Sequence, residues 1–540
     1  MMGLMQDWPL LVHKVIDHAA LYHGDREVVT RSVEGPIHRT NYREIRRRSR
    51  RAASALERLG LQSGERIATL GTNTWRHLES WYGIAGMGGI YHTLNPRLFP
   101  DQLVYIANHA EDRVLFFDIC FAPLVAAIAP RLETVRHYIA LSDQVPGGLP
   151  ASVLAYEDFI VGGDEGYEWK SLDENAACGL CYTSGTTGEP KGVLYSHRSN
   201  VLHSFITCQA DCFGPRSKDT ILPIVPMFHA NSWGIAFSAP MVGAKLVLPG
   251  AKLDGVSLCE LFDTEKVTAT AAVPTVWLAM LAHLEQTGKD LPWLERVVIG
   301  GAACPRRVIE TFENKYGVET SHSWGMTEMS PVGTIGSLTA EVDALTDEEK
   351  MRYKLKQGRP MFGVEMKIVD DADNELPHDG EAFGRLKVRG PAVAKGYFRS
   401  EGNAAFDTEG WFDTGDIATL DAAGYMAITD RAKDVIKSGG EWISSIAIEN
   451  IAICHPALAE TAVIGIVHDK WGERPLLIAV LKQGHSATRE EILAYLEGRI
   501  ARWWMPDDVI FVDEIPHTAT GKIQKTTLRE RYGRHHTDSA

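Results

Sequence analysis

The sequence predicts an α/β protein of more than one domain. A large N-terminal domain of layered α/β subdomains, closing in a β-rich subdomain, is followed by a small α+β C-terminal domain. Three observations carry this. The 540 residues exceed the roughly 250–300 at which a single core stops growing. Short apolar strands alternate with helical stretches over the first two thirds, the rhythm of a mainly parallel sheet covered by helices. From about Pro360 the pattern turns strand-rich with polar turns, and near residue 432 it returns to alternation.

In chain order, "NYREIRRRSRRAASALERLG" (41–60) spaces its apolar residues for a helix that stops at Gly60. Its arginine run suits either a nucleic-acid patch or an exposed helix face, and in an acidic chain the helix face explains it better. Strands "RIATLG", "RVLFFD", "KLVLPG", "ATAAVP" and "RVVIGG" alternate with helical stretches such as "HLESWYGIAGMGG". The segments "VEMKIVDDADNELP", "GRLKVRG" and "GYMAITD" mark the β-rich subdomain, about 360–432. Strands "TAVIGIV" and "PLLIAVLK" and the helix "EEILAYLEGRIARWW" mark the last domain, so the expected division is 1–432 and 433–540.

Hydrophobic residues make up 45% and charged residues 23%, an ordinary globular profile. With 55 Lys and Arg against 70 Asp and Glu, the net charge of −15 leaves no global basic footprint for nucleic acid or anionic membrane. "MMGLMQDWPLLVHKVIDHAA" lacks a basic n-region and reads as mature sequence. No apolar run reaches membrane-spanning length, and "HHTDSA" matches no anchor or peroxisomal address, so a cytoplasmic location is expected. The eight cysteines are expected to be reduced core thiols, Cys178 and Cys181 included, because that CxxC lies in an apparent strand with no second pair or histidine beside it.

"YTSGTTGEPKG" (182–192) concentrates Thr183, Ser184, Gly185, Thr186, Thr187, Gly188 and Lys191 between strand-like "GLCY" and "GVLYS". It is not a Walker A loop, because Pro190 stands five after Gly185 and Gly192 follows Lys191. Glycines let successive N–H groups turn toward one anion, and hydroxyls and a lysine add donors. Composition alone leaves both a surface turn and a phosphate cradle open.

Five further segments share this polar, glycine-punctuated character. "PMFHANSW" (226–233) sets His229 and Trp233 four apart, on one face if helical. "VIGGAACP" (298–305) ends a strand in small residues, Gly300, Gly301, Ala302 and Ala303, where backbone can lie against a flat ligand. "SWGMTEMSP" (323–331) offers Trp324 to stack on a base, Thr327 to donate to a phosphate and Glu328 to hold Mg²⁺. "WFDTGDIA" (411–418) offers Asp416 for ribose hydroxyls, and "TATGKIQK" (518–525) sets Lys522 in a turn. Taken singly, each is equally readable as a plain loop or core edge.

Together, in this order, and with "LNPRLFPDQLVYI" (94–106), the motifs resemble the adenylate-forming superfamily of acyl-CoA synthetases, firefly luciferases and peptide-synthetase adenylation domains. The resemblance covers nearly the whole chain. It implies an ATP-dependent enzyme in which a carboxylate attacks the α-phosphate of ATP, and CoA then displaces AMP from the acyl-adenylate. Thr183, Ser184, Gly185, Thr186, Thr187, Gly188 and Lys191 would face the β- and γ-phosphates. Thr327 would meet the α-phosphate and Glu328 would hold Mg²⁺. Trp324, with Gly325 and Met326, would flank the adenine opposite Gly301, Ala302 and Ala303, while Asp416 and Arg431 would hold the ribose.

Lys522 would be the catalytic cation at the α-phosphate, and His229 would sit at the carboxylate, lining the acyl pocket with Trp233 and Gly300. "DRAKD" (430–434) would make Lys433 the hinge of a mobile C-terminal domain. Lys437, Ser438, Gly439, Gly440, Glu441 and Trp442 would serve CoA and thioester formation. One departure is Ala447, where relatives commonly carry Glu, with Glu449 kept. Shared phrases such as "HTLNPRL", "GGAACP" and "IKSGGEWIS" resemble most the ligases of 3-methylmercaptopropionate and of medium-chain fatty acids. The implied partners are a small carboxylic acid, ATP and CoA, with a homodimer compatible. Passage of the acyl group to a carrier-protein thiol or another acceptor is the alternative within the superfamily, and a non-catalytic nucleotide-binding relative is the alternative outside catalysis.

Overall fold

The computed structural model describes residues 1–149, 152–183, 189–400, 404–439, 441–517 and 523–535, the side chains of Glu441 and Trp442 excepted. It is a mixed α/β protein whose chain divides into two compact units. The larger gathers Met1–Gly185, Glu189–Glu365 and Arg389–Phe406; the smaller gathers Met366–Val388 and Asp407–Ala540.

The larger unit carries two sheets. The seven-stranded one runs Val153–Ala155, His137–Ala140, Val114–Phe117, Arg66–Leu70, Ile90–Thr93, Ala177–Tyr182, Gly192–Ser196. Its strands are parallel except the last, which returns antiparallel to Ala177–Tyr182. Ile90–Thr93 and Val114–Phe117 are buried at every position, as a parallel sheet covered on both faces requires.

The nine-stranded sheet has six parallel strands, from Glu319–Gly325 across to Glu27–Arg31, with antiparallel strands at both edges. Alternation along its strands divides the core. Ile221 and Leu246 join a cluster that reaches Ile67, Tyr91 and Phe116 of the other sheet through Trp81, Tyr82 and Phe237 of intervening helices. Their neighbours Leu222 and Val247 point the other way, to a cluster around Trp277 and Phe312.

The arginine helix is Tyr42–Arg58, capped by Asn41, whose side chain accepts from the Glu44 N–H at 3.0 Å. It does not present its arginines as one free face. Arg48 pairs with Glu79 at 2.8 Å and Glu157 at 2.9 Å, Arg47 and Arg51 share Glu165, Arg43 pairs with Asp25 and Arg46 with Asp17. The basic run is answered by carboxylates of its own unit.

In the smaller unit, Phe383–Arg389, Phe412–Leu420 and Met426–Arg431 follow one another in a four-stranded sheet whose outer strand, Glu365–Val369, starts at the unit boundary. A five-stranded sheet follows, built on the long antiparallel pair Leu458–His468 and Gly472–Leu481. The helix expected over "EEILAYLEGRIARWW" is shorter, Arg489–Leu496. Glu497 turns extended (ψ 130) and Gly498 takes φ +74, so the later apolar residues form only the 3-10 turn Arg502–Trp504. All eight cysteines are free thiols, and Cys178 and Cys181 are buried in their strand, but Cys120 and Cys454 are exposed, so the expectation that all eight are core thiols does not hold for these two. Among the described residues no helix is long and apolar enough to cross a membrane.

Candidate active site

Both stems of "YTSGTTGEPKG" are fixed by pairing. Tyr182 faces Gly192 across the two strands, and the Thr183 N–H donates to the Lys191 carbonyl at 2.9 Å. Ser184, Gly185, Thr186, Thr187 and Gly188 lie outside the described residues. Gly192 is pressed between side chains: a Cβ there would lie 3.1 Å from the Tyr182 ring and 3.2 Å from Phe398 Cβ, and its carbonyl accepts from the Phe398 N–H at 2.8 Å. This contact brings the segment around Tyr397 to the stem. Lys191 Nζ stands 5.0 Å from the Tyr397 ring centroid, a cation–π contact.

The Tyr397 hydroxyl donates to Glu328 Oε1 at 2.7 Å. Burial, reinforced by the Glu328 carboxylate, pushes the phenol's pKa up, so it stays a donor. The Tyr195 hydroxyl likewise donates to the Thr327 carbonyl at 2.7 Å. Thr327 and Glu328, 8% and 5% exposed, therefore form a braced 3-10 turn at the end of strand Glu319–Gly325. Gly325 has no room for a side chain, since a Cβ would fall 2.1 Å from the Pro331 carbonyl oxygen, which also accepts from the Met326 N–H at 3.0 Å. Trp324, buried, lies over Gly333, where a Cβ would come within 2.8 Å of its ring. On the neighbouring strand Gly301 takes φ +82, and Ala302 and Ala303 are exposed. The Ala302 carbonyl is 3.3 Å from His322 Nε2.

"PMFHANSW" is not helical in the ordinary hand. His229 is extended (φ −123, ψ 115), and Ala230, Asn231, Ser232 and Trp233 take φ of 44, 56, 52 and 53, followed by Gly234 at 79. His229 and Trp233 thus do not share a right-handed helical face. Each non-glycine residue in this region costs on the order of 1–3 kcal/mol, so the turn must be held by its surroundings. The turn carries the Trp233 indole against strand Arg296–Gly300. A Cβ at Gly300 would lie 3.0 Å from Trp233 Cη2 and 2.9 Å from the Ser323 carbonyl oxygen. Upstream, Asn73 staples the approach: its Nδ2 donates to the Pro223 and Val225 carbonyls at 2.9 and 3.0 Å, and its Oδ1 accepts from the Met227 N–H at 2.7 Å. Beside this segment opens a cavity of about 290 Å³, lined among others by Asn73, Arg97, Cys120, Phe121, Pro226 and Phe228.

In the smaller unit Asp416 and Arg431 face each other across paired strands, and Arg431 Nε meets Asp416 Oδ1 at 2.8 Å. Asp416 is buried while the guanidinium remains partly exposed. Lys433 is exposed between two held aspartates. Asp430 accepts from the Ser445 N–H and hydroxyl, both at 2.6 Å, and Asp434 pairs with Arg529 at 2.6 Å. Lys437 and Ser438 lie on the short strand Ile436–Ser438, paired with Glu441–Ile443. The Lys437 N–H donates to Glu473 at 2.9 Å. Gly439, at φ +61, donates to the Trp471 carbonyl at 2.7 Å, with its Cα facing the Trp471 ring. At the departure from the family pattern, the Ala447 N–H closes the Ser444 cap at 3.0 Å, and Glu449 is buried against Lys525 at 2.8 Å. Gly440 and Lys522 lie outside the described residues.

Within the larger unit, the structure gathers Thr327, Glu328 and Lys191 around Tyr397, and Trp233 with Gly300 and Gly301. Tyr397, Tyr195 and Asn73 were not legible as site residues. Tyr397 sits in a Gly-Tyr-Phe turn without a chemical signature, and the other two act through ordinary strand and loop positions.

The AMP-binding enzyme family matches residues 16–398, and the AMP-binding enzyme C-terminal domain matches 447–522. The chain is 52% identical to the 3-methylmercaptopropionyl-CoA ligase of Ruegeria lacuscaerulensis, covering 98% of this chain and 99% of that protein. It is 48% identical to the medium-chain-fatty-acid–CoA ligase of Ectopseudomonas oleovorans, covering 99% and 98%. Among solved structures, an anthranilate CoA ligase in complex with anthranoyl-AMP superposes with a TM-score of 0.86 at 26% identity, covering 98% of this chain and 99% of that one. With a family match across most of its length and half its residues shared end to end with these ligases, the chain belongs to the AMP-binding enzyme family.

Proposed function

We propose that this AMP-forming acid–CoA ligase takes a short- or medium-chain fatty acid or 3-methylmercaptopropionate, joins it to AMP with release of pyrophosphate, and transfers the acyl group to CoA. The observation that carries the reading is the braced Thr327–Glu328 turn, tied through Tyr397 to the stem of the phosphate loop. An enzyme of this kind needs a hydroxyl and a carboxylate fixed where a triphosphate is held, with the dehydration cost of the carboxylate already met by hydrogen bonds. The full-length similarity to ligases of these two acid classes supports the substrate range.

In the proposed mechanism, Thr183, Lys191 and the loop between them hold the terminal phosphates, and Trp324 and the Gly301–Ala303 backbone flank the adenine. Asp416 and Arg431 take the ribose. The acid enters against Trp233 and Gly300, with its carboxylate near His229. It is itself the nucleophile, so the protein contributes chiefly orientation and charge. Glu328 fits Mg²⁺: it is a buried carboxylate, a hard oxygen donor, and one or two carboxylates plus phosphate oxygens is the usual coordination of this ion. When bound, Mg²⁺ would neutralise phosphate charge and polarise the reacting phosphorus. Lys522 supplies the cation for the pentavalent transition state, and the 437–442 segment serves the thioester step. The eight free thiols fit a reducing compartment, the cytoplasm.

The test is CoA-dependent AMP release over straight-chain, branched, aromatic and methylthio acids. A ligase of the proposed range turns over several short and medium acids, with neighbours one methylene apart differing by about tenfold to two-hundredfold, because apolar pockets discriminate a methylene by only about 1–3 kcal/mol. AMP release that continues unchanged without CoA would instead identify a different acyl acceptor.

A further inference from the structure

The left-handed turn Ala230–Gly234 is held by a closed ring of three buried side chains. Asn231, its second residue, stands midway between His229 and Trp233, two positions from each. Asn231 Nδ2 donates to Asn200 Oδ1 at 3.2 Å, and its Oδ1 accepts from the Tyr91 hydroxyl at 3.3 Å. Asn200 Nδ2 closes the ring by donating to the Tyr91 oxygen at 2.9 Å. Tyr91, Asn200 and Asn231 are 0%, 2% and 1% exposed, so water does not compete for these bonds.

Each member comes from a different rigid element. Tyr91 belongs to strand Ile90–Thr93, with its ring stacked on Trp81 at 4.7 Å and 10°. Asn200 belongs to helix His197–Thr207. A second tie, from the Ser232 hydroxyl to the Val225 carbonyl at 2.8 Å, closes the turn on its own approach. Four consecutive non-glycine residues at positive φ persist only where the surroundings over-determine them. Asparagine tolerates that conformation best among them, and it is the residue whose side chain is used at both ends.

We infer that Tyr91 and Asn200, acting through Asn231, are positioning residues for acid selection: the hydrogen-bonded ring fixes the left-handed turn that sets Trp233 against Gly300 and places His229 for the acid's carboxylate. The inference rests on the reading that His229 and Trp233 line the acyl pocket. It places part of the acid specificity in a strand and a helix that do not touch the acid. Loosening the ring lets the turn relax toward ordinary backbone, withdrawing Trp233 while leaving the phosphate-loop stem and the Thr327–Glu328 turn as they are.

The experiment is acid-dependent pyrophosphate exchange by the full chain, over a series of straight-chain acids and methylthio acids, with thermal unfolding as the check of folding. Tyr91→Phe removes one hydroxyl and both its bonds. Asn231→Gly removes the amide yet keeps tolerance of positive φ. Both are expected to raise KM for the preferred acid about threefold to tenfold, the value of one or two net hydrogen bonds. They should also flatten the preference between acids one methylene apart, and shift KM for ATP less than twofold. A generally weakened fold would instead lower kcat with the active fraction and leave the acid ranking unchanged, and that result overturns the inference.

His229→Ala and Trp233→Ala separate the two levels. If they raise KM for the acid while Tyr91→Phe and Asn231→Gly do not, the positioning role is wrong and the pocket reading stands. If they too leave every acid KM unchanged, the pocket reading falls and this inference falls with it. Should Asn231→Gly not fold, Tyr91→Phe decides alone.

Discussion

Asp118, at the end of strand Val114–Phe117, is fully buried, and its Oδ2 accepts from the Thr72 N–H at 2.6 Å and the Thr72 hydroxyl at 2.7 Å. Its Oδ1 has no hydrogen-bond partner among the described residues. Burial pushes its pKa up to about 6 from 3.8, against the two Thr72 bonds. A carboxyl whose native pKa lies above its unfolded one binds more protons folded than unfolded between those values. The stability it lends is therefore fully present below about pH 4 and lost as pH rises through 6. At pH 7 and above, the ionised form costs up to about 3 kcal/mol. Asp118→Asn is expected to raise the thermal midpoint clearly more at pH 8 than at pH 4.5, read by circular dichroism. An equal shift at both pH values would remove the charge from the explanation. Residues of this kind escape sequence reading, because nothing in "RVLFFD" distinguishes a buried aspartate from a strand-ending turn. Lys191, Thr327 and Glu328 were readable as candidates because their neighbours form ordered motifs, whereas Tyr397 and Asn231 matter through distant partners, Glu328 69 positions from the one and Asn200 and Tyr91 31 and 140 positions from the other.

At the scale of elements, the helix Tyr42–Arg58 shows what periodicity tells and what it leaves out. Apolar spacing and Gly60 mark the helix to within a residue or two, yet the arginines along it have unlike environments. The Arg48 side chain is 15% exposed and lies against Glu79, which is 0% exposed; the Arg43 side chain is 63% exposed, against Asp25 at 83%. Removing Arg48 leaves a buried carboxylate uncompensated, so Arg48→Ala is expected to cost about 3–5 kcal/mol. Arg43→Ala should fall within about 0.5 kcal/mol of wild type. Denaturant unfolding of the two variants side by side checks this, and similar values would mean the helix does not divide as described. Strands such as Arg66–Leu70, Val114–Phe117, Lys245–Leu248 and Arg296–Gly300 were legible for the same reason as the helix, since their apolar runs and flanking glycines are local. The left-handed turn at 230–234 was not, because its conformation is imposed by Tyr91, Asn200 and the Val225 carbonyl rather than by its own sequence.

For the molecule as a whole, the question is how one site serves two reactions, and two lysines three positions apart separate the possibilities. Lys525 is structural. Its ammonium pairs with Glu449 at 2.8 Å and donates to the Ser445 hydroxyl at 2.5 Å, and Ser445 in turn donates to Asp430. Arg529, one turn further along the same helix, pairs with Asp434, so helix Lys525–Tyr532 is anchored on both sides of Lys433. Lys525→Ala strands two buried carboxylates, and is expected to lower the unit's stability by about 3–5 kcal/mol and to lose both half-reactions together. Lys522, in the proposed mechanism, supplies the cation while the α-phosphate is attacked, and the family resemblance implies that turning the C-terminal domain about Lys433 would withdraw it before CoA arrives. Lys522→Ala should then cut acid-dependent pyrophosphate exchange by about a hundredfold or more, the usual scale for a lost transition-state charge contact. It should form thioester from supplied acyl-adenylate and CoA at close to the wild-type rate, and unfold at the wild-type temperature. Rapid-quench assay of the two half-reactions, with melting curves on the same samples, distinguishes the three enzymes. If Lys522→Ala loses both half-reactions equally while melting as wild type does, the lysine serves both steps from one position, and rotation about Lys433 is not how this enzyme changes reactions.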